Sequence, residues 1–73
     1  MQKAIFTRDH RFTVDQLIAA RREAGLTQAE AAKLLDNTQS HISKVEAGQR
    51  RIDIVALKEF ARIYKKDLSF FIK

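Results

Sequence analysis

Gln39-Ser40-His41-Ile42-Ser43-Lys44 gathers an amide, two hydroxyls, an imidazole and an ammonium into one short run. On a helix turning about 100° per residue, Ile42 and Val45 face inward and leave a polar outer side. That side does not read as a catalytic centre. Ser40 and His41 are neighbours in sequence, and adjacent helix residues do not face each other. No third group is placed to orient them, as nucleophilic chemistry requires. Metal ligation is equally unsupported, because His10 and His41 are the only histidines and the chain has no cysteine. What these side chains can do is hydrogen-bond. Gln39 can pair bidentately with adenine N6 and N7, Ser40 can donate to or accept from several bases, and Lys44 can meet a guanine or a phosphate. His41 reads equally as a rim contact or as plain exposure. Thr38 and Ser43 suit sugar–phosphate contacts, or else purely local caps. The plain alternative for the whole face is an ordinary solvated helix surface.

The signals on either side predict how this run is held. Thr27-Gln28-Ala29-Glu30 is a capping box, in which hydroxyl and carboxylate each satisfy an orphan backbone N–H. A second start falls at Thr38, and Gly48 supplies a stop. Helices over 28–35 and 39–47 result, the first burying Ala31, Ala32 and Leu35. Two helices joined by about four residues form a helix-turn-helix unit, which sets its second helix in a DNA major groove. Gln28 then opens a helix whose free N–H groups and positive dipole end can receive a phosphate. Arg50 and Arg51 follow Gly48 as a basic loop, where charge would raise affinity without choosing sequence.

The remaining segments build the support. Thr13-Val14-Asp15-Gln16 reads as another capping box, with Phe12 and Leu17 as a hydrophobic staple, so a first helix is expected over 13–24. Val14, Leu17, Ile18, Arg21 and Ala24 form its inward stripe, and Gly25 ends it. Residues 1–12 read as a loosely ordered N-terminal arm, with an extended piece near Ala4–Thr7; Arg8 and Arg11 could reach a groove from it, but the plainer reading is that they are solvated. Asp53 caps a fourth helix over 54–64, striped by Ile54, Leu57, Phe60, Ala61 and Tyr64. Asp67 opens a last short helix containing Leu68, Phe70, Phe71 and Ile72. These four cannot all be buried in so small a monomer. Phe70 and Ile72 are therefore the candidates for a two-fold dimer seam.

Composition agrees with one small all-α domain over 13–73. The chain has 73 residues, 45% of them hydrophobic, with no Pro and two Gly. A net charge of +5 and a pI near 10.0 are compatible with a nucleic-acid partner. No apolar run approaches the roughly 18 residues of a membrane span, and no signal peptide is evident, so a cytoplasmic protein is expected.

Gly25-Leu26-Thr27-Gln28, Ile42-Ser43-Lys44-x-Glu46-x-Gly48 and Asp67-Leu68-Ser69-Phe70-Phe71 together resemble the Cro/repressor-type (xenobiotic-response-element-like) helix-turn-helix family of bacteria and phages. The likeness runs over about residues 13–72. It implies a compact five-helix, lambda-repressor-like domain acting as a homodimer on an inverted-repeat operator in double-stranded DNA, without cofactor. It also implies that Gln28 clamps the DNA backbone and that Arg21 and Glu46 form a salt bridge tying the first helix to the third. The sequence departs from the family at Asp36 and Lys65, where glycine is usual, and at Asn37 and Lys66, where apolar residues are usual. Asp and Asn tolerate left-handed backbone better than most residues, so the turn at Asp36–Asn37 is expected to survive. An antitoxin or a restriction–modification controller would use the same binding mode, with a toxin or polymerase as protein partner. A protein-interaction module without DNA binding is the alternative from another class.

Overall fold

The computed structural model describes residues 7–73; of the extended piece expected near Ala4–Thr7, only Thr7 lies within them, and its backbone is extended. The described residues form four α-helices and a closing 3₁₀ turn, with no strand among them: α1 (Arg8–Glu23), α2 (Gln28–Leu34), α3 (Gln39–Glu46), α4 (Ile54–Tyr64) and Leu68–Phe71. The fifth helix of the sequence reading is thus a single 3₁₀ turn.

Each α-helix opens on a side-chain cap. The oxygens of Thr7, Thr27, Thr38 and Asp53 accept from the backbone N–H three residues on, at 3.1, 3.1, 3.1 and 2.8 Å. Each such cap contributes about 1 kcal/mol. At Thr27 the box is complete, since Glu30 also accepts from the Thr27 backbone N–H at 2.8 Å.

All four helices end in the same way. The N–H groups of Leu26, Asn37, Gln49 and Lys66 reach back to the carbonyls of Arg21, Ala32, Lys44 and Ala61. This six-residue closure places the preceding residue in left-handed backbone. Those residues are Gly25, Asp36, Gly48 and Lys65, with φ of 75°, 55°, 78° and 58°. The chain's two glycines occupy two of the four positions. Asp36 and Lys65 hold the others against a Cβ penalty of roughly 1–2 kcal/mol each.

The start of α1 corrects the sequence reading. Residues 8–12 are not loose arm but the first turn and more of α1, capped by Thr7 and with Asp9 near the positive dipole end. Thr13 and Gln16 do not cap anything. The Thr13 hydroxyl donates to the Phe71 carbonyl at 2.7 Å, and the Gln16 amide donates to that of Phe70 at 3.0 Å. Both residues pin the 3₁₀ turn onto α1. A capping box and two adjacent inward-facing polar side chains share one local pattern, and here a partner 58 residues away decides between them.

The core joins Leu17 and Ala20 of α1, Ala31 and Ala32 of α2, Ile42 and Val45 of α3, the Leu57, Phe60, Ala61 and Tyr64 stripe of α4, and Phe71. Phe71, Leu17 and Ile42 are fully enclosed, each worth about 1.5–3 kcal/mol of burial. Ala31 and Ala32, without bulk beyond Cβ, let α2 and α3 pack closely. Ile54 departs from the expected stripe and stands half-exposed beside the exposed Val55. At the first turn of α4 it lies beyond the edge of the core.

Candidate nucleic-acid interface

Ile42 and Val45 anchor α3 to the core, which turns the opposite side of the helix outward. Gln39, Ser40, Ser43 and Lys44 are all exposed there, as is Ala47 at its end. Ser40, Ser43, Lys44 and Ala47 follow the spacing of a single helix face. Neither the core nor the C-terminal turn covers them. Thr38 is also exposed, its oxygen accepting from the His41 N–H while its own proton remains free to donate. The Thr38 N–H is in turn held by Asn37 Oδ1 at 2.8 Å, so the residue that replaces an apolar one in the turn braces the start of α3.

His41 does not join this group. It is half-buried and lines a crevice with Leu35, Ala56 and Phe60 on the α4 side of α3. One residue along the helix from Ser40, it is rotated by about 100° toward the core. The direction of that rotation follows from where Ile42 and Val45 insert.

The orientation of α3 is fixed by an ion pair expected from the sequence. Arg21 Nε and one terminal nitrogen bond both oxygens of Glu46, at 2.7 and 3.0 Å. The other terminal nitrogen donates to the Leu26 carbonyl at 2.9 Å. The two side chains are only 11% and 8% exposed, so this bidentate pair is shielded from the screening that weakens surface pairs. The bonded Glu46 carboxylate raises the Arg21 pKa above its ordinary value, against the opposing effect of burial.

Gln28 belongs to the same network. At the first position of α2, its amide nitrogen donates to Glu46 Oε1 at 3.0 Å. One carboxylate therefore holds α1, α2 and α3 together. This contact does not exhaust the amide, which carries a second N–H. Sequence reasoning placed Gln28 on the DNA and Glu46 in the support; their direct contact depends on the angle between helices, which local patterns do not specify.

Tyr64 lies close enough to feel this pair. It is buried, its hydroxyl has no hydrogen-bond partner in the structure, and its pKa is pushed up to about 12. Burial is the main cause; the Glu46 charge adds to it and Arg21 opposes it.

The flanks of α3 carry more positive charge. Arg50 and Arg51 are exposed in the loop after it. Lys33, which sequence reasoning passed over, is exposed on α2 and shares a shallow depression with Ala29, Asn37 and Gln39. Only the geometry of the turn brings it beside Gln39. Among the described residues, the other ion pairs lie away from α3: Arg62 with Glu59, and Lys66 with Glu23.

The two residues expected at a dimer seam differ. Ile72 is 50% exposed. Phe70 is half-buried, edge-on to Phe71 at 5.2 Å, with Lys66 Nζ 4.7 Å from its ring centre. Among the described residues no helix is long and apolar enough to cross a membrane, and no group of side chains is placed to hold a metal ion.

Matched against models of protein families, residues 17–71 fit the one described as helix-turn-helix. No curated protein matches the chain.

Proposed function

Because the chain belongs to the Cro/C1-type helix-turn-helix family of DNA-binding transcriptional regulators, we propose that it acts as a repressor, binding as a homodimer to an inverted-repeat operator. The observation that carries this reading is the free polar face of α3: Gln39, Ser40, Ser43 and Lys44 are exposed while Ile42 and Val45 bury the opposite side.

The N-terminal end of such a helix points at the bases. Gln39 and Ser40 stand there and read base edges; Lys44, one turn on, reaches a guanine or a phosphate. The second N–H of the Gln28 amide, the Thr38 and Ser43 hydroxyls, and the Arg50 and Arg51 guanidinium groups hold the sugar–phosphate backbone and fix the register. His41 stands at the margin of this contact. The Arg21–Glu46 pair acts indirectly, by setting the angle at which α3 leaves the core. Ile72, with the edge of Phe70, forms the two-fold seam, which places two copies of α3 about 34–36 Å apart in successive major grooves. Occupancy of a site overlapping a promoter then excludes polymerase.

Gln39→Ala tests the assignment. It is expected to relax preference at one base position per half-site at a cost of about 1–3 kcal/mol. Unchanged affinity and unchanged preference would place base recognition elsewhere. Sedimentation that finds only monomer at high micromolar concentration, with and without operator DNA, would remove the dimer.

A further inference from the structure

We propose that Arg11, with Arg8 one turn before it on α1, makes a further backbone contact to DNA beside the end of α3, in addition to that of the Arg50–Arg51 loop; this rests on the DNA-binding reading above. The eight residues of α3 span about 12 Å, against a major groove about 8.5 Å deep. A helix that enters such a groove with its N-terminal residues at the bases brings its far end up to the rim, where the phosphates run. Ala47 and Gly48 mark that far end. Whatever is exposed beside them faces backbone rather than base edges.

Two groups of residues satisfy this condition. One is Arg50–Arg51, delivered by the chain as it leaves α3. The other comes from α1, because the segment expected to be a loose arm is helical and packs beside the end of α3. Arg11 lines the same crevice as Ala47 and Gly48, and both Arg8 and Arg11 are exposed. Neither arginine forms an ion pair among the described residues, in contrast to Arg21 and Arg62. Two acidic groups share the crevice, Asp15 and Glu46. The Glu46 carboxylate is already neutralised by Arg21. Asp15 sits one helical turn after Arg11, and the carbonyl end of α3 is weakly negative. Together they favour a cation at this spot without binding it. Being rigid, α1 presents the two guanidinium groups without the ordering cost that a flexible arm would carry.

The test is the salt dependence of binding to a duplex of random sequence, measured by fluorescence anisotropy with the full chain. Each lost phosphate contact lowers the slope of log affinity against log salt by about 0.9. Arg8→Ala/Arg11→Ala is expected to lower it by about 1.8. A rise from 50 to 200 mM salt then costs the variant about tenfold less affinity than it costs the native chain. Base preference, measured on a pool of randomised duplexes, is expected to be unchanged, and Arg8→Lys/Arg11→Lys to restore most of the slope. Native salt dependence in a folded alanine variant would overturn the inference while leaving DNA binding intact. Failure of the native chain itself to bind duplex at low salt would overturn the DNA-binding reading, and this inference with it.

Discussion

Glu46→Ala is the substitution on which the architecture bears most heavily. Three bonds converge on this carboxylate: two from Arg21, at 2.7 and 3.0 Å, and one from Gln28, at 3.0 Å. Removing it leaves a guanidinium that is only 11% exposed with the Leu26 carbonyl as its remaining partner. Breaking one side of a fully buried pair costs about 3–5 kcal/mol. The residual exposure and the surviving carbonyl bond bring the expected loss to about 2–4 kcal/mol. A domain of 73 residues has roughly 4–11 kcal/mol in all, so the variant is expected to lose a large share of its stability. At about 4–8 °C per kcal/mol, Tm falls by about 8–30 °C. Urea unfolding monitored by circular dichroism measures this directly. Arg21→Met/Glu46→Leu is expected to recover most of the loss, because replacing both partners leaves no stranded charge. That double variant should nonetheless bind operator less well, since Gln28 has lost the group that holds it. A Glu46→Ala loss below about 1 kcal/mol would refute the reasoning, because the pair would then behave as a surface ion pair.

Other perturbations address separate parts of the molecule. Lys65→Gly relieves the left-handed backbone at φ 58° and is expected to stabilise by about 0.5–1 kcal/mol once glycine's extra chain entropy is subtracted, read as a Tm rise of several degrees. Thr13→Val strands the Phe71 carbonyl, which now accepts at 2.7 Å; the expected loss is about 1–2 kcal/mol, with faster amide hydrogen exchange concentrated in the 3₁₀ turn. Tyr64, raised to about 12, is folded in its neutral form. Its contribution is complete below the ordinary phenol value near 10 and is lost as pH rises toward 12, a fall of up to about 2 kcal/mol. Tyr64→Phe is expected to remove that part of the alkaline loss and to leave stability at neutral pH equal or slightly higher, since the hydroxyl has no partner; chemical denaturation across pH 8–12 checks both.

The features that the sequence announced were those with local causes. The box at Thr27–Glu30, the starts at Thr38 and Asp53 and the stops at Gly25 and Gly48 each depend on contacts within a few residues, and each lies where it was expected. The alternation of apolar residues gave the buried faces of α3 and most of α4 for the same reason. What was missed depended on distant partners. The start of α1 read at Thr13 lies at Thr7 instead, because Thr13 and Gln16 bond Phe71 and Phe70 at the far end of the chain rather than capping a helix. Gln28 meets Glu46, and Lys33 comes beside Gln39, only because the turn at Asp36 fixes the angle between α2 and α3. The inward tilt of His41 follows from Ile42 and Val45, but the crevice it lines needs Ala56 and Phe60 of α4, which the pattern of α3 does not contain.

Selection of bound duplexes from a random pool, for the native chain and for Gln39→Ala in parallel, asks whether the exposed face of α3 reads DNA sequence. A two-fold symmetric consensus is expected for the native chain, its half-sites one helical turn apart, with loss of preference at one position per half-site for the variant. Enrichment of no consensus, or of the same consensus with the same strength for both proteins, would contradict it.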